Sequence, residues 1–254
     1  MPLLWVFEDQ LSPDLPTLVA APHAPALLIE SAVAFTMLPY HPKRLTFLVS
    51  AMRHFAAELA KGHRDIHYYP LCENGYLDSL SALRDVVAKT GEREVWVVEP
   101  SEYHTRAWLE TLPERLGLTI RYFPNTLFLT DRAEFRSWAR GVTSPVMEVF
   151  YRRMRTRHDV LMDGPDPAGG RWNLDQDNRK PLKKSIDIPR MMTFEPDAIT
   201  KDVMAEVSRR FGGTAGSVDG FAMPVTRSQA KSAFEHFLDH RLCAFGDYED
   251  AMVT

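Results

Sequence analysis

The sequence predicts an α/β fold in which a five-stranded, parallel, doubly wound sheet is followed by a long connector and the first helices of an all-α domain. Three observations lead there. From residue 1 to about 130, short apolar runs alternate with stretches of helical period. The runs lack polar alternation, as strands do when helices cover both faces of a sheet. Beyond residue 130 strand-like runs cease and only helical patterns and irregular segments follow.

The candidate strands are Leu3 to Glu8, Ala26 to Glu30, Ile66 to Leu71, Glu94 to Glu99 and Leu118 to Phe123. Between the second and third, Leu45, Leu48, Val49, Met52, Phe55, Ala56 and Leu59 fall on one stripe at 3.6-residue spacing, and Gly62 ends that helix. Leu77, Leu80, Leu83, Val86 and Val87 mark a second helix, and Trp108, Leu109 and Leu112 a third. A sheet of this kind commonly has the order 3-2-1-4-5, which makes the first and fourth strands neighbours. Their carboxyl ends then face one crevice, lined by Glu8, Asp9 and Gln10 on one side and Glu99, Ser101, Glu102 and Tyr103 on the other.

Asp131 with Glu134 forms a capping box for a short helix carrying Phe135 and Trp138. Ser144 and Pro145 are expected to start the next, which bears Met147, Phe150, Tyr151 and Met154 with Arg152, Arg153, Arg155 and Arg157. Residues 159 to 196, rich in Gly, Pro, Asp and Asn, read as a connecting segment. Two helices close the pattern, from about Lys201 to Phe211 and from about Arg227 to Leu242. The second is capped by Thr226 and Gln229, with Ala230, Phe234, Phe237, Leu238 and Leu242 as its apolar stripe. Three parts result: 1–130 as the α/β domain, 131–196 as the connector, and 197–254 as the start of a helical domain. Two short helices cannot cover each other's apolar faces, so the chain reads as truncated, with self-association through the uncovered face an expectation.

Hydrophobic residues make up 45% of the 254 and charged residues 25%, which excludes collagen-like, coiled-coil and disordered classes. A net charge of −4 excludes a polyanion-binding footprint over the whole surface. The N-terminus lacks a basic segment and meets acid at Glu8, and no apolar run approaches a membrane span, so a cytoplasmic protein is expected. Charge is nevertheless segregated. From Tyr151 to Arg190 there are ten Lys or Arg against six Asp, a net of +4. Such a strip can follow a nucleic-acid backbone, or it can be a helix neutralised by acidic neighbours.

No glycine-rich phosphate cradle exists, because the turn after the first strand reads EDQLSP. Cys72 and Cys243 match no metal or redox spacing, and no histidine pair at helical ligand spacing is expected among the nine, so no metal site is expected. Asp9 and Glu99 could also serve a stand-alone α/β enzyme at the switch point, or they could simply be a turn acceptor and a solvated strand end.

The segments VFEDQLSP (Val6 to Pro13), SAMRHFAAEL (Ser50 to Leu59), MEVFYRRMR (Met147 to Arg155) and GGRWNLDQDNRKP (Gly169 to Pro181), with FAMPVTRSQA and LCAFGDYEDAM, run in order along the whole chain. On them the sequence resembles deoxyribodipyrimidine photolyase-related proteins, the bacterial iron–sulfur branch of the photolyase and cryptochrome family with (6-4) photolyase-like members. The resemblance implies a Rossmann-like antenna domain, a connector, and a helical domain holding FAD and a four-cysteine cluster. It also implies light-dependent repair of DNA photoproducts, or blue-light sensing, by a longer parent. No tightly bound cofactor is expected on this chain, which would then be inactive alone. A lumazine-type antenna is the one ligand implied for it, with contacts at Glu8, Asp9, Gln10, Glu30, Met52 and Glu99. Members that bind one carry a glutamate and a tyrosine where this sequence has Ala34 and Met37. DNA contacts in the parent are expected at Arg152, Arg153, Arg155, Arg179, Lys180 and Lys183, and the partner of this chain is the helical half.

Overall fold

A computed structural model describes residues 1–71, 78–177 and 189–248. It divides into two compact units, Met1–Leu127 with Thr193–Ala230, and Phe128–Met192 with Lys231–Thr254.

The first unit holds a five-stranded sheet of β1 (Leu3–Trp5), β2 (Ala26–Ile29), β3 (Ile66–Tyr69), β4 (Glu94–Val98) and β5 (Thr119–Phe123). All pairings are parallel and the order is β3-β2-β1-β4-β5, as the sequence predicts. Between the strands run α1 (Pro16–Ala20), α2 (Ala32–Thr36), α3 (Pro42–Lys61), α4 (Ser79–Thr90), α5 (Tyr103–Leu109) and α6 (Leu112–Leu116). Successive β1 side chains point to opposite faces, so Leu4 and Val6 join one core while Leu3, Trp5 and Phe7 join the other. The first core packs against Leu45, Val49, Met52, Phe55 and Leu59 of α3, and the second against Ala82, Leu83, Val86 and Val87 of α4. Burying each such Leu or Val contributes about 1.5–3 kcal/mol.

Several local expectations shift. Asp78 caps α4 through the Ser81 amide at 2.7 Å, while Leu77, expected to begin its stripe, lies outside the described residues, as does Cys72. The stretch from Tyr103 to Leu116 is two short helices, because Pro113 needs a first-turn position where its missing N–H is harmless. The largest shift concerns α9 (Ala198–Phe211), which packs along α3 and delivers Val203, Val207 and Phe211 to the first core. The stretch expected to open a helical domain therefore divides, and residues 193–230 go with the sheet. Within that stretch Gly216, at φ +98°, passes so close to α3 that a Cβ there would stand 2.1 Å from His41 Nε2.

In the second unit, α7 (Arg132–Ala139) is capped by Asp131, which accepts from the Glu134 amide at 2.7 Å. Its Phe135 and Trp138 meet Phe150 of α8 (Met147–His158) at ring-centroid distances of 5.4 and 4.8 Å. The cap of α8 is Val146, so Ser144 and Pro145 precede the helix without starting it. A short hairpin, β6 (Met162–Asp163) and β7 (Asp166–Pro167), interrupts the connector. Thr226 and Gln229 cap α10 (Arg227–His240) reciprocally, and α11 (Leu242–Tyr248) follows. The α10 stripe, read from sequence as apolar and in want of a partner, is exposed at Phe234 and Leu238, with Leu242 and Phe245 beyond it. Among the described residues no helix is long and apolar enough to cross a membrane.

Candidate functional site

The adjacency of β1 and β4 brings the turn after β1 against the segment after β4. Gln10 makes the connection. Its side chain is fully buried and its Nε2 donates to the carbonyls of Val98 at 3.3 Å and Glu99 at 3.5 Å. With the amide fixed this way, Oε1 is buried and accepts no hydrogen bond among the described residues. A buried unpaired acceptor costs about 1–3 kcal/mol, a condition that the hydroxyls of Thr17, Thr46, Ser50 and Tyr122 share.

Beside Gln10 in sequence, Asp9 accepts from Ser101 Oγ at 3.2 Å. Burial pushes the Glu8 carboxyl above the usual carboxylate range; the charges of Asp9 and Glu102 push the same way, and a backbone hydrogen bond opposes them. Glu99 pairs with Arg106 Nη1 at 3.3 Å, and the Arg106 guanidinium lies 3.5 Å from the centroid of the Tyr122 ring. Asn125 Nδ2 closes the strand end by donating to the Glu99 carbonyl at 3.0 Å. Glu8, Asp9, Gln10, Glu99 and Ser101 thus lie together where β1 and β4 end. Arg106 and Asn125 join them without having stood out in sequence, since neither lies in a motif.

Glu30 and Met52 are placed differently from expectation. Met52 is enclosed in the first core. Both carboxylate oxygens of Glu30 are taken up inside the fold by Arg53, the Tyr68 hydroxyl and the Leu71 amide. Burial, then the Glu30 charge, drive the Tyr68 phenol far above its ordinary value, so it stays a donor. Arg53 is raised as well, because its hydrogen bonds and attraction to Glu30 outweigh burial. This cluster ties β2 and β3 to α3. Of the two positions where a glutamate and a tyrosine would stand, Ala34 packs half-buried on the first core and Met37 is 72% exposed.

The arginines of α8 are mostly engaged within their own unit. Arg152 pairs with Glu148 at 2.9 Å, and Glu134 of α7 receives both Arg153 and Arg157. Arg155 departs from a phosphate-contact role: it is 7% exposed and donates to the carbonyls of Val160, Leu161 and Trp172. The Tyr151 and Trp172 rings lie over it at 5.5 and 5.2 Å, so it clasps the turn that follows α8. Arg179, Lys180 and Lys183 lie outside the described residues.

One histidine pair corrects the sequence reading. His236 and His240 are four residues apart on α10, with rings stacked at a centroid distance of 4.4 Å and an angle of 19°. The spacing is visible in the sequence itself, hidden only by the apolar stripe that dominates this helix.

The sequence model of the deoxyribodipyrimidine photo-lyase-related protein family matches residues 4–223. A (6-4) photolyase of Agrobacterium fabrum is 34% identical over 255 residues, covering 99% of this chain and 50% of that protein. The chain thus spans about half the length of that relative. An uncharacterized protein of Acanthamoeba polyphaga mimivirus is 21% identical over 171 residues, 64% of this chain and 85% of its own. The crystal structure of a bacterial class III photolyase from Agrobacterium tumefaciens superposes with a TM-score of 0.45 at 20% identity, covering 65% of this chain and 32% of that one.

Proposed function

The chain belongs to the deoxyribodipyrimidine photo-lyase-related protein family, and from that premise we propose that it serves as the antenna-type α/β part and connector of a photolyase- or cryptochrome-like protein, repairing DNA photoproducts in light or sensing blue light. The observation that carries this reading is the buried Gln10 oxygen, unpaired among the described residues, in the turn that also bears Glu8 and Asp9. A flat polar heterocycle of the lumazine class offers the ring N–H and carbonyl groups that this turn can meet. Gln10 Oε1 and Asp9 are the hydrogen-bond acceptors for such groups. When bound, such a chromophore absorbs light and passes the excitation to a flavin. The part of this chain is to orient the ring and to shield it from water.

With Ala34 on α2 and Met37 at its end, recognition in this reading rests on the β1–β4 crevice and not on a carboxylate and phenol after β2. Two cysteines do not supply the four thiolates of an iron–sulfur cluster. We assign the cluster and the flavin to a helical half outside this sequence, which the exposed stripe at Phe234, Leu238, Leu242 and Phe245 would meet. DNA is then a partner of the whole protein, with Arg152, Arg153, Arg179, Lys180 and Lys183 as its phosphate contacts from this chain.

The test is a titration of a lumazine with the purified chain, followed by fluorescence anisotropy. A saturable rise, weakened about tenfold or more by Gln10→Leu, is the expected result. Anisotropy that stays flat with the unaltered chain would overturn the antenna assignment.

A further inference from the structure

Helix α10 carries two faces with different chemistry. Phe234 and Leu238 form the exposed apolar stripe, while His236 and His240 project about 200° around the axis from them. A partner seated on the stripe therefore leaves the histidines accessible. No residue of α10 is buried; His240 is exposed and His236 half-buried.

The two imidazoles stand close enough together to share one ion. Residues four apart on a helix are surface neighbours, and these rings lie 4.4 Å apart. Two nitrogens bound to one Zn²⁺ at about 2.0–2.1 Å each stand no more than about 4 Å apart, so the stacked rings, 19° from parallel, chelate once they turn about their side-chain bonds until the nitrogens converge. The orientation of His240 adds a second argument. Its Nδ1 sits 3.1 Å from the His236 carbonyl, and donation there places the ring proton on Nδ1 and leaves the Nε2 lone pair for a ligand. Metal-binding histidines are held in this manner, with the second nitrogen donating to a carbonyl or carboxylate. Glu235 and Asp239, adjacent in sequence to the two histidines, bring negative charge to this stretch of the helix, and Lys231, 3.9 Å from Glu235, and Arg241, next to His240, offset part of it.

We propose that His236 and His240 bind one borderline divalent transition-metal cation, of the Zn²⁺, Ni²⁺ or Cu²⁺ class, on the exposed face of α10. Imidazole nitrogens favour these ions, whereas Mg²⁺ and Ca²⁺ require oxygen donors. No group of three or more His, Cys, Asp or Glu side chains converges among the described residues, so water fills the remaining positions and the site is weaker than a four-ligand structural centre. Bridging consecutive turns, the ion staples the carboxyl-terminal half of α10.

The experiment is calorimetric titration of Zn²⁺ into the chain with both cysteines replaced by serine, which removes thiolate binding. One ion per chain is expected, with affinity lowered about tenfold or more by His236→Gln and by His240→Gln and unchanged by His104→Gln. Zn²⁺ should also slow amide exchange over residues 236–244, an effect absent in either variant. Affinity insensitive to both His236→Gln and His240→Gln, or equal competition by Mg²⁺, would overturn the proposal.

Discussion

Arg53 grips Glu30 with two parallel hydrogen bonds, Nε to Oε1 at 2.8 Å and Nη2 to Oε2 at 2.9 Å, and the carboxylate is wholly shielded from solvent. The same Nη2 donates to Glu206 at 2.7 Å. Glu30 follows β2, Arg53 projects from α3 and Glu206 from α9, so one guanidinium joins the sheet to two helices. Removing a buried charge from water is expensive, and here the cost is met by donors on every side of the carboxylate.

Arg53→Ala leaves Glu30 buried without its countercharge. We expect a loss of about 3–5 kcal/mol, read from urea unfolding followed by far-UV circular dichroism. Replacing both partners by methionine should cost markedly less than Arg53→Ala alone, since no unpaired charge then remains.

His54 Nε2 lies 2.7 Å from Asp197 Oδ2 at the cap of α9, and its Nδ1 lies 2.7 Å from the Ser50 carbonyl. Burial acts to raise the Asp197 carboxyl, but hydrogen bonds from His54 and from the Thr200 amide and hydroxyl bring it from 3.8 down to about 2. A depressed carboxyl stabilises the fold above its unfolded value and loses that contribution as pH falls from about 4 through about 2. Asp197→Asn should flatten stability over this window, a result to be sought in thermal unfolding at stepped pH.

Glu8 has the opposite sign. A carboxyl held above 4.5 favours the protonated fold, so its contribution is complete below 4.5 and is lost as pH rises through the raised value. Glu8→Gln should therefore raise the melting temperature at neutral pH. The same substitution tests the crevice, because a residue whose removal stabilises the fold is retained for something other than stability.

Arg155→Lys keeps the charge and loses the fork that spans the carbonyls of Val160, Leu161 and Trp172. Faster amide exchange over residues 160–172 is expected, with a cost of about 1–3 kcal/mol to the second unit. Unchanged exchange there would mean that the turn is held by other contacts.

Much of this architecture is local in origin. The apolar stripe of α3, the unbroken apolar strands and the capping residues Asp131 and Thr226 each express a periodicity or a side-chain bond spanning three or four residues. The meeting of the turn after β1 with the segment after β4 was legible for the same reason, since strand order follows from the β-α alternation. Arg106 and Asn125 escaped, because each meets Glu99 through tertiary placement. The same holds for Glu30, an acid at a strand end whose ligand-like position was plain while its countercharge, 23 residues away on α3, was not.

The amino-acid order by itself determined the alternating sheet, its parallel direction and the family, because these depend on spacing along the chain. Only the tertiary structure decided that α9 returns to pack on α3, that Glu30 and Arg155 spend their polar groups inside the fold, and that Gln10 keeps one oxygen unpaired among the described residues. Such outcomes depend on which distant groups approach within hydrogen-bonding distance, a property of the folded chain that no local pattern encodes.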